Sequence, residues 1–213
     1  MSPFPTNTME RANEVLEYWF GTGDWTPERL DERTRFWFGG DGAAPASVRD
    51  AEIRARLEPL LERASRGEFA GWATSPKRRL ALILLFDQVP RNSYRGTPAA
   101  FAFDREALAL AVEGLQLAAD AALNPIERIF FYLPLEHAES LEAQDTAIAA
   151  FARLVAEAPP ALRDYCAYTA EYAKKHRDVI AQFGRFPHRN ALLKRASTPE
   201  EKIWLEAHPN YFG

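Results

Sequence analysis

The amino-acid sequence predicts an all-α protein, folded as a layered array of antiparallel helices. Apolar residues recur every three to four positions along the 213-residue chain, without the alternating pattern that strands show. Helix-starting prolines and capping residues lie beside these apolar stripes. The connections between stripes are short, which favours antiparallel packing of neighbouring helices, and about nine helices are expected. We expect them to form a single domain over residues 1–213.

The first two helices have well-marked ends. The first is expected to begin at a cap, Asn7 or Thr8, and to stop at Gly21. The motif Thr26-Pro27-Glu28 combines a capping residue, a first-turn proline and an acid, which is typical of the start of a second helix. The apolar face of the first helix consists of Ala12, Val15, Leu16, Trp19 and Phe20.

Two prolines bear on the helices that follow. Ser47 opens a stripe that contains Pro59, and this proline is expected to kink the helix or to end its first half. Ser75-Pro76 opens the next helix, whose body over residues 79–89 is apolar on every side. A helix that is apolar all round is buried, so this one is expected to lie at the centre of the fold.

The remaining helices each have a start or stop signal next to an apolar stripe. The signals are, in chain order, Pro98 or Asp104, Asn124-Pro125, Pro159-Pro160, Gly184 and Thr198-Pro199-Glu200-Glu201. The last motif is a capping box with proline at the first helical position. The chain contains no Gly/Ser-rich linker, which is why we expect one domain.

Composition and charge argue against several classes of protein. The formal net charge of -4 gives no overall attraction to nucleic acid or to an anionic membrane. The single cysteine, Cys166, excludes a disulfide scaffold and a paired-cysteine zinc site, and its place on a long apolar stripe predicts burial. The start of the chain does not resemble a secretory signal, and the longest apolar run, residues 80–86, is too short for a membrane span. We therefore expect a cytoplasmic protein with no nucleic-acid or membrane partner.

Two segments end an apolar stripe in nearly the same way. Residues 86–92 and 183–190 each contain an apolar residue, a proline, an arginine and an asparagine at closely matched positions. The residue before a proline favours extended geometry, so each helix is expected to end there and to direct Arg91 or Arg189 back towards the helix end. The arginines can serve a structural role, by binding helix carbonyls and a buried acid, for which Asp87 and Glu136 are the candidates, or can bind a carboxylate or phosphate.

These segments and several others resemble a bacterial family, domain of unknown function 924. The resemblance covers nearly the whole chain and rests on residues 15–20, 36–39, 80–92, 94–97, 132–137, 183–190 and 197–201. It implies an all-helical fold similar to tetratricopeptide-repeat superhelices. It implies no established activity, and no catalytic residue is carried over from it.

Three of the four histidines lie in these motifs or on an apolar stripe, namely His137, His176 and His188. If they converge with Glu136 and the two arginines, the site has the groups needed for acid–base chemistry on an anionic substrate. The alternative is that they are hydrogen-bonded core residues. No His-x-x-x-His or Glu-x-x-His spacing is present, so we expect neither a metal nor another cofactor.

Three hypotheses of function follow. The leading one is a protein that binds a small anion, or the carboxylate-bearing end of a peptide, in a polar pocket. The residues predicted to line this pocket are Arg91, Asn92, Tyr94, Arg95, His137, His188, Arg189 and Asn190. The second is an enzyme in which His137, His176 or His188 acts as the general base with Glu136 as its partner. The third is a structural or protein-interaction module, in which the motifs serve the fold alone. The sequence leaves the oligomeric state open.

Overall fold

The regular elements of this protein are all helical in the part that the computed structural model describes, residues 8–209. Side chains are described from residue 11 onward. The α-helices are α1 (Thr8–Phe20), α2 (Pro27–Phe38), α3 (Ala46–Ser65), α4 (Pro76–Ile83), α5 (Val89–Ser93), α6 (Asp104–Gln116), α7 (Pro125–His137), α8 (Leu141–Glu157), α9 (Pro160–Phe183) and α10 (Pro199–Ala207). The all-α prediction is confirmed, and the tetratricopeptide-like superhelical layout stays a prediction. Within the described range, no helix is both long and apolar enough to cross a membrane.

The short connections between these helices contain single helical turns. Four are 3-10 turns, at Ala70–Thr74, Pro98–Phe101, Ala119–Ala122 and Pro187–Arg189, and a π-helical turn at Leu84–Gln88 joins α4 to α5. The two predicted starts of the sixth helix both exist, because Pro98 opens a 3-10 turn and Asp104 opens α6.

The capping predictions are confirmed where the signal is local. Asn124 and Thr198 each form a capping box, with Glu127 and Glu201 respectively at the third helical position. Gly184 ends α9 in the left-handed conformation, at a φ of 69°. The alternative cap at Asn7 lies outside the described residues.

The expected boundaries of α3 are wrong in two respects. Pro59 was expected either to kink the helix or to end its first half, and the second alternative is wrong because the helix continues through Pro59 to Ser65. Ser47 does not cap the start, because the residue at the cap position is Pro45 and no side chain makes a capping hydrogen bond there. The apolar stripe around Pro59 is buried, and tertiary packing of this kind can outweigh the local preference against proline.

The expectation that the helix ends before Pro90 is also wrong. The backbone N–H of Val89 donates to the carbonyl of Leu84, five residues earlier, so the chain passes from α4 through a π-helical turn into α5. In a regular α-helix the ring of Pro90 would clash with the carbonyl four residues before it. The wider turn displaces that carbonyl and lets helical geometry continue. π-Helical turns of this kind are frequent at functional sites.

The core is centred on α4 and α7. Residues 79–83 of α4 are all buried, which confirms the prediction of a central helix. On α7, the ring of Phe130 packs against Trp37 at a centroid distance of 4.7 Å and against Phe20 at 5.4 Å. Cys166 on α9 is buried as expected, and this burial raises the pKa of its thiol to about 11.

Among the described glycines, Gly114 of α6 has the most closely packed surroundings. A Cβ atom added there would lie 2.4 Å from Cζ of Phe131 and 2.8 Å from Cδ of Arg79, and both side chains are buried. We expect Gly114→Ala to lower the free energy of unfolding by about 1–3 kcal/mol, because overpacking outweighs the higher helix propensity of alanine. Urea denaturation measures this change.

Gly71 is a suitable control for that substitution, because a Cβ atom added at this position would meet nothing within 4 Å. Gly71→Ala should change the free energy of unfolding by less than about 1 kcal/mol. Equal effects of the two substitutions would contradict the close packing of α6 against α4 and α7.

Candidate functional site

A group of charged side chains and histidines lies where the π-helical turn, α5, α6, α7, α9 and the 187–189 turn meet. We name it the polar cluster. Its members are Asp87, Arg91, Asp104, Glu136, His137, His176 and Arg189. Every one of these groups contacts another member through an ion pair or a hydrogen bond, and several are almost fully buried.

Asp87 is the fully buried acid of the polar cluster. Its Oδ1 contacts Nδ1 of His137 at 2.7 Å and Nη1 of Arg91 at 3.1 Å, while its Oδ2 accepts a hydrogen bond from Nε2 of Gln88 at 2.6 Å. Burial alone would raise the pKa of Asp87, but the charge of Arg91 and the contacts with His137 and Gln88 outweigh it and hold the pKa below its usual range. Asp87 is therefore ionised at neutral pH.

The ionised state of Asp87 fixes the tautomer of His137. A carboxylate can only accept, so Nδ1 of His137 carries the hydrogen and Nε2 carries the lone pair. Burial and the charge of Arg91 lower the pKa of His137 and outweigh the opposing effect of Asp87. His137 is thus a neutral imidazole at neutral pH, with a proton-accepting nitrogen directed away from Asp87.

The two arginines of the duplicated motif converge on one acid. Asp104 contacts Arg91 through Oδ1 at 2.8 Å and Arg189 through Oδ2 at 3.2 Å. The ring of Phe101 faces both guanidinium groups, at 5.9 Å from Arg91 and 4.6 Å from Arg189. Phe186 packs against Arg189 at 4.4 Å, so two rings hold that guanidinium in place.

Each arginine nevertheless keeps a buried nitrogen without a hydrogen-bond partner. These atoms are Nη2 of Arg91 and Nε of Arg189. Burial, together with the charge of Arg91, lowers the pKa of Arg189 to about 10, so it remains charged at neutral pH. Buried donors of charged groups are normally satisfied, which makes these two nitrogens the unsatisfied binding capacity of the polar cluster.

Of the three histidines considered as partners of Glu136, His176 is the one in contact with it. Its Oε2 lies 3.3 Å from Nδ1 of His176, and that nitrogen also donates to the carbonyl of Tyr172 at 2.8 Å. Burial and the nearby charge of Asp87 raise the pKa of Glu136 well above its ordinary value. Burial and the neighbouring His137 lower the pKa of His176 to about 3. Both shifts favour the uncharged forms of Glu136 and His176.

His188 lies next to the polar cluster and is exposed, whereas Pro187 and Arg189 on either side of it are buried. Its ring packs near that of Phe186, with a centroid distance of 5.5 Å. Burial of part of the ring and the charge of Arg189 lower its pKa to about 4. His188 is thus a neutral neighbour of Arg189 at neutral pH.

The other four residues predicted to line the pocket have partners outside the polar cluster. Asn92 donates to the carbonyl of Gln88, and Tyr94 donates to Glu58 on α3. Arg95 pairs with Asp50 on α3. Asn190 donates to Ser197 and to Glu201 at the start of α10. The contacts of Tyr94 and Arg95 reach α3 and that of Asn190 reaches α10, and we leave the four residues outside the candidate site.

Sequence reasoning missed Asp104 as a site residue, and it considered Asp87 only as a buried acid that could pair with the arginines. Asp87 precedes Arg91 by four positions in a helical segment, and at this spacing an acid and an arginine meet on one helix face. Asp104 gave only the signal of a helix start. Glu139 was also missed; it binds Arg195 through both oxygens and accepts a hydrogen bond from the backbone N–H of Phe186.

The remaining geometry concerns clefts and metal ligands. Two surface clefts of about 490 and 520 Å³ are lined by other residues, such as Arg185 and Glu201 in the first and Tyr18 and Arg56 in the second. Within residues 8–209, no group of three or more His, Cys, Asp and Glu side chains is arranged to hold a metal ion.

Fold and site together define an all-α protein that carries a charged cluster at a junction of helices. Residues 15–208 match the family described as "Bacterial protein of unknown function (DUF924)", and the chain belongs to this family. A solved structure of a protein of unknown function from Agrobacterium tumefaciens, ATU0120, is 33% identical in sequence, with a TM-score of 0.76. The match covers 94% of this chain and 99% of that one. A search of curated proteins finds no match.

Proposed function

We propose that the polar cluster binds a small anionic ligand through a carboxylate, with Arg91 and Arg189 as the anion-binding residues. The observation that carries this proposal is the convergence of the two guanidinium groups on Asp104, with one unpartnered buried nitrogen left on each. An arginine fork matches the geometry of a carboxylate, and charge-assisted hydrogen bonds of this kind are strong.

The polar cluster also has a route to solvent in this proposal. The side chains of Arg91, His137 and Asp104 are 17%, 16% and 24% exposed, whereas Asp87 is completely covered. A ligand that approaches from this exposed side meets Arg91 before it meets Asp87, and Arg189, which is 7% exposed, lies deeper beside Asp104. The carboxylate belongs either to a free metabolite or to the end of a peptide, and the probes below separate these two sources.

We infer a cytoplasmic location for this binding protein. Its only thiol, Cys166, is buried and unpaired, which fits a reducing compartment.

Isothermal titration calorimetry with succinate, citrate, inorganic phosphate and a short unmodified peptide tests the proposal. We expect a carboxylate to bind the wild type and to bind about 10- to 100-fold more weakly to Arg91→Gln and Arg189→Lys, because each change removes a charge-assisted hydrogen bond. Arg189→Lys keeps the charge but loses the planar fork. A thermal shift of several degrees should accompany saturation.

Arg177→Gln is the matched control, because this arginine follows His176 in sequence but pairs with Asp145 at an exposed position. It should leave affinity unchanged. If no carboxylate binds the wild type, while Arg91→Gln and Arg189→Lys only lower stability, the arginines serve the fold and the proposal fails.

A further inference from the structure

His137 is held more tightly than anion binding requires. Its Nδ1 is fixed by Asp87, and Asp87 is fixed in turn by Gln88. The backbone on both sides of His137 is fixed as well, because Nε2 of the fully buried Gln144 donates to the carbonyls of Glu136 at 2.6 Å and Ala138 at 2.9 Å. A histidine oriented by a buried carboxylate, with Nε2 left to accept a proton, has the arrangement of a general base.

The surroundings of His137 contain the other two elements of proton-transfer chemistry. The ring of His176 lies 6.1 Å from that of His137 and contacts the carboxyl group of Glu136. Arg91 and Arg189, which both pair with Asp104, offer positive charge that can stabilise an oxyanion. Base, acid and oxyanion-stabilising groups therefore meet within one cluster, and most of its atoms are shielded from water.

Two neighbouring guanidinium groups suit a ligand with two neighbouring oxygen functions. In a 2-oxo acid the carboxylate and the carbonyl lie on adjacent carbons, so one arginine can hold the carboxylate while the other faces the carbonyl oxygen. The C–H bond next to that carbonyl is the acidic one. Its removal places negative charge on the oxygen that faces the second arginine.

We propose that the polar cluster catalyses proton abstraction from 2-oxo acids, with Nε2 of His137 as the base, Asp87 as its positioning residue and the two arginines as stabilisers of the enolate. The C–H bond next to the carbonyl breaks and its proton goes to Nε2. The electron pair forms a carbon–carbon double bond, and the carbonyl π electrons move onto oxygen. Return of a proton to the same carbon regenerates the 2-oxo acid, so the cycle needs no oxidant, reductant or other reactant. This inference rests on the proposed function, because the arginines must first bind the carboxylate.

Deuterium exchange at the carbon next to the carbonyl tests this activity directly. Pyruvate and 2-oxoglutarate are incubated with the protein in D₂O, and proton NMR measures the loss of the C3–H signal against the spontaneous rate. We expect the wild type to accelerate exchange and His137→Gln to lower the accelerated rate by about 10²- to 10⁴-fold, the contribution typical of a general base. Asp87→Asn should lower the rate without abolishing carboxylate binding, and Arg177→Gln should leave the rate unchanged.

Succinate has two carboxylates but no 2-oxo group. Calorimetry with succinate therefore separates failure of this inference from failure of the proposed function. If succinate and 2-oxo acids bind but the wild type exchanges no faster than buffer, the enolising activity is overturned and anion binding stands. Exchange that persists in both His137→Gln and His137→Asn also overturns it. If neither ligand class binds, both proposals fail. Circular dichroism of each variant confirms that a lost rate does not come from lost folding.

Discussion

Asp87→Asn is expected to lower the free energy of unfolding by about 3–5 kcal/mol, the cost of breaking a buried charge pair by removing one partner. The asparagine keeps the size of the side chain but not its negative charge. Arg91 then loses one of its two acids, and Nδ1 of His137 loses its carboxylate acceptor. Equilibrium denaturation in urea, monitored by far-UV circular dichroism, measures the loss.

Asp145→Asn is the control for this prediction. Asp145 pairs with Arg177 at 2.6 Å, but its side chain is 54% exposed, and such pairs contribute about 1 kcal/mol or less. The comparison therefore isolates burial as the cause. Similar losses in the two variants would show that Asp87 does not carry a buried charge.

Glu136→Gln is expected to stabilise the protein progressively as the pH rises above 4.5. The native state keeps a proton on Glu136 because burial and Asp87 raise its pKa, whereas the unfolded chain releases this proton near its ordinary pKa of 4.5. Wild-type stability therefore falls by about 1.4 kcal/mol for each pH unit between 4.5 and the raised native pKa. Glutamine is neutral in both states and removes this loss. Urea denaturation of both proteins at pH 5, 6 and 7 measures the difference.

At acid pH the dependence of stability on pH has the opposite sign, because stability falls as the pH falls. His176 has a native pKa of about 3 against an ordinary value of 6.5, so the unfolded state binds the proton first and stability is lost as the pH falls below 6.5. From this residue alone the loss at pH 5 is about 2 kcal/mol. Glu136→Gln should leave this loss of stability at acid pH unchanged.

Glu139→Gln is a matched control, for which the expected change in the free energy of unfolding has the opposite sign to that of Glu136→Gln. Burial alone would raise the pKa of Glu139, but its hydrogen bonds with Arg195 and with the backbone of Phe186 outweigh this and lower it. The native state therefore favours the ionised form, and Glu139→Gln should cost stability at neutral pH. A constant difference between Glu136→Gln and wild type from pH 5 to pH 7 would contradict a protonated Glu136.

Helix ends could be predicted from sequence where the signal is complete within a few residues. The capping boxes at Asn124 and Thr198 need only the acid three positions on, and both form as expected. Pro90 shows the limit of this reasoning. The local rule predicts that a helix ends at a proline, but the π-helical turn before Pro90 lets the helical chain continue. The hydrophobic pattern does not predict that turn.

The site was predictable only in part, for reasons of geometry. The repeated motif singled out Arg91 and Arg189, and both lie in the polar cluster. The sequence left open which of His137, His176 and His188 is the partner of Glu136, and the packing of α7 against α9 selects His176. The true partner of His137 is Asp87, 50 positions earlier, and only the packing of two helices brings them together.

The burial of Cys166 has a practical consequence for all of these measurements. Cys166 is buried, and the pKa of its thiol is raised to about 11. The thiol should therefore react slowly with maleimide and iodoacetamide reagents at neutral pH. Because Cys166 is also the only cysteine of the chain, a second cysteine placed on the surface can be coupled to a fluorophore or a spin label in the otherwise native protein. Distances and ligand-induced movements then become accessible to spectroscopy without first removing a residue from the core.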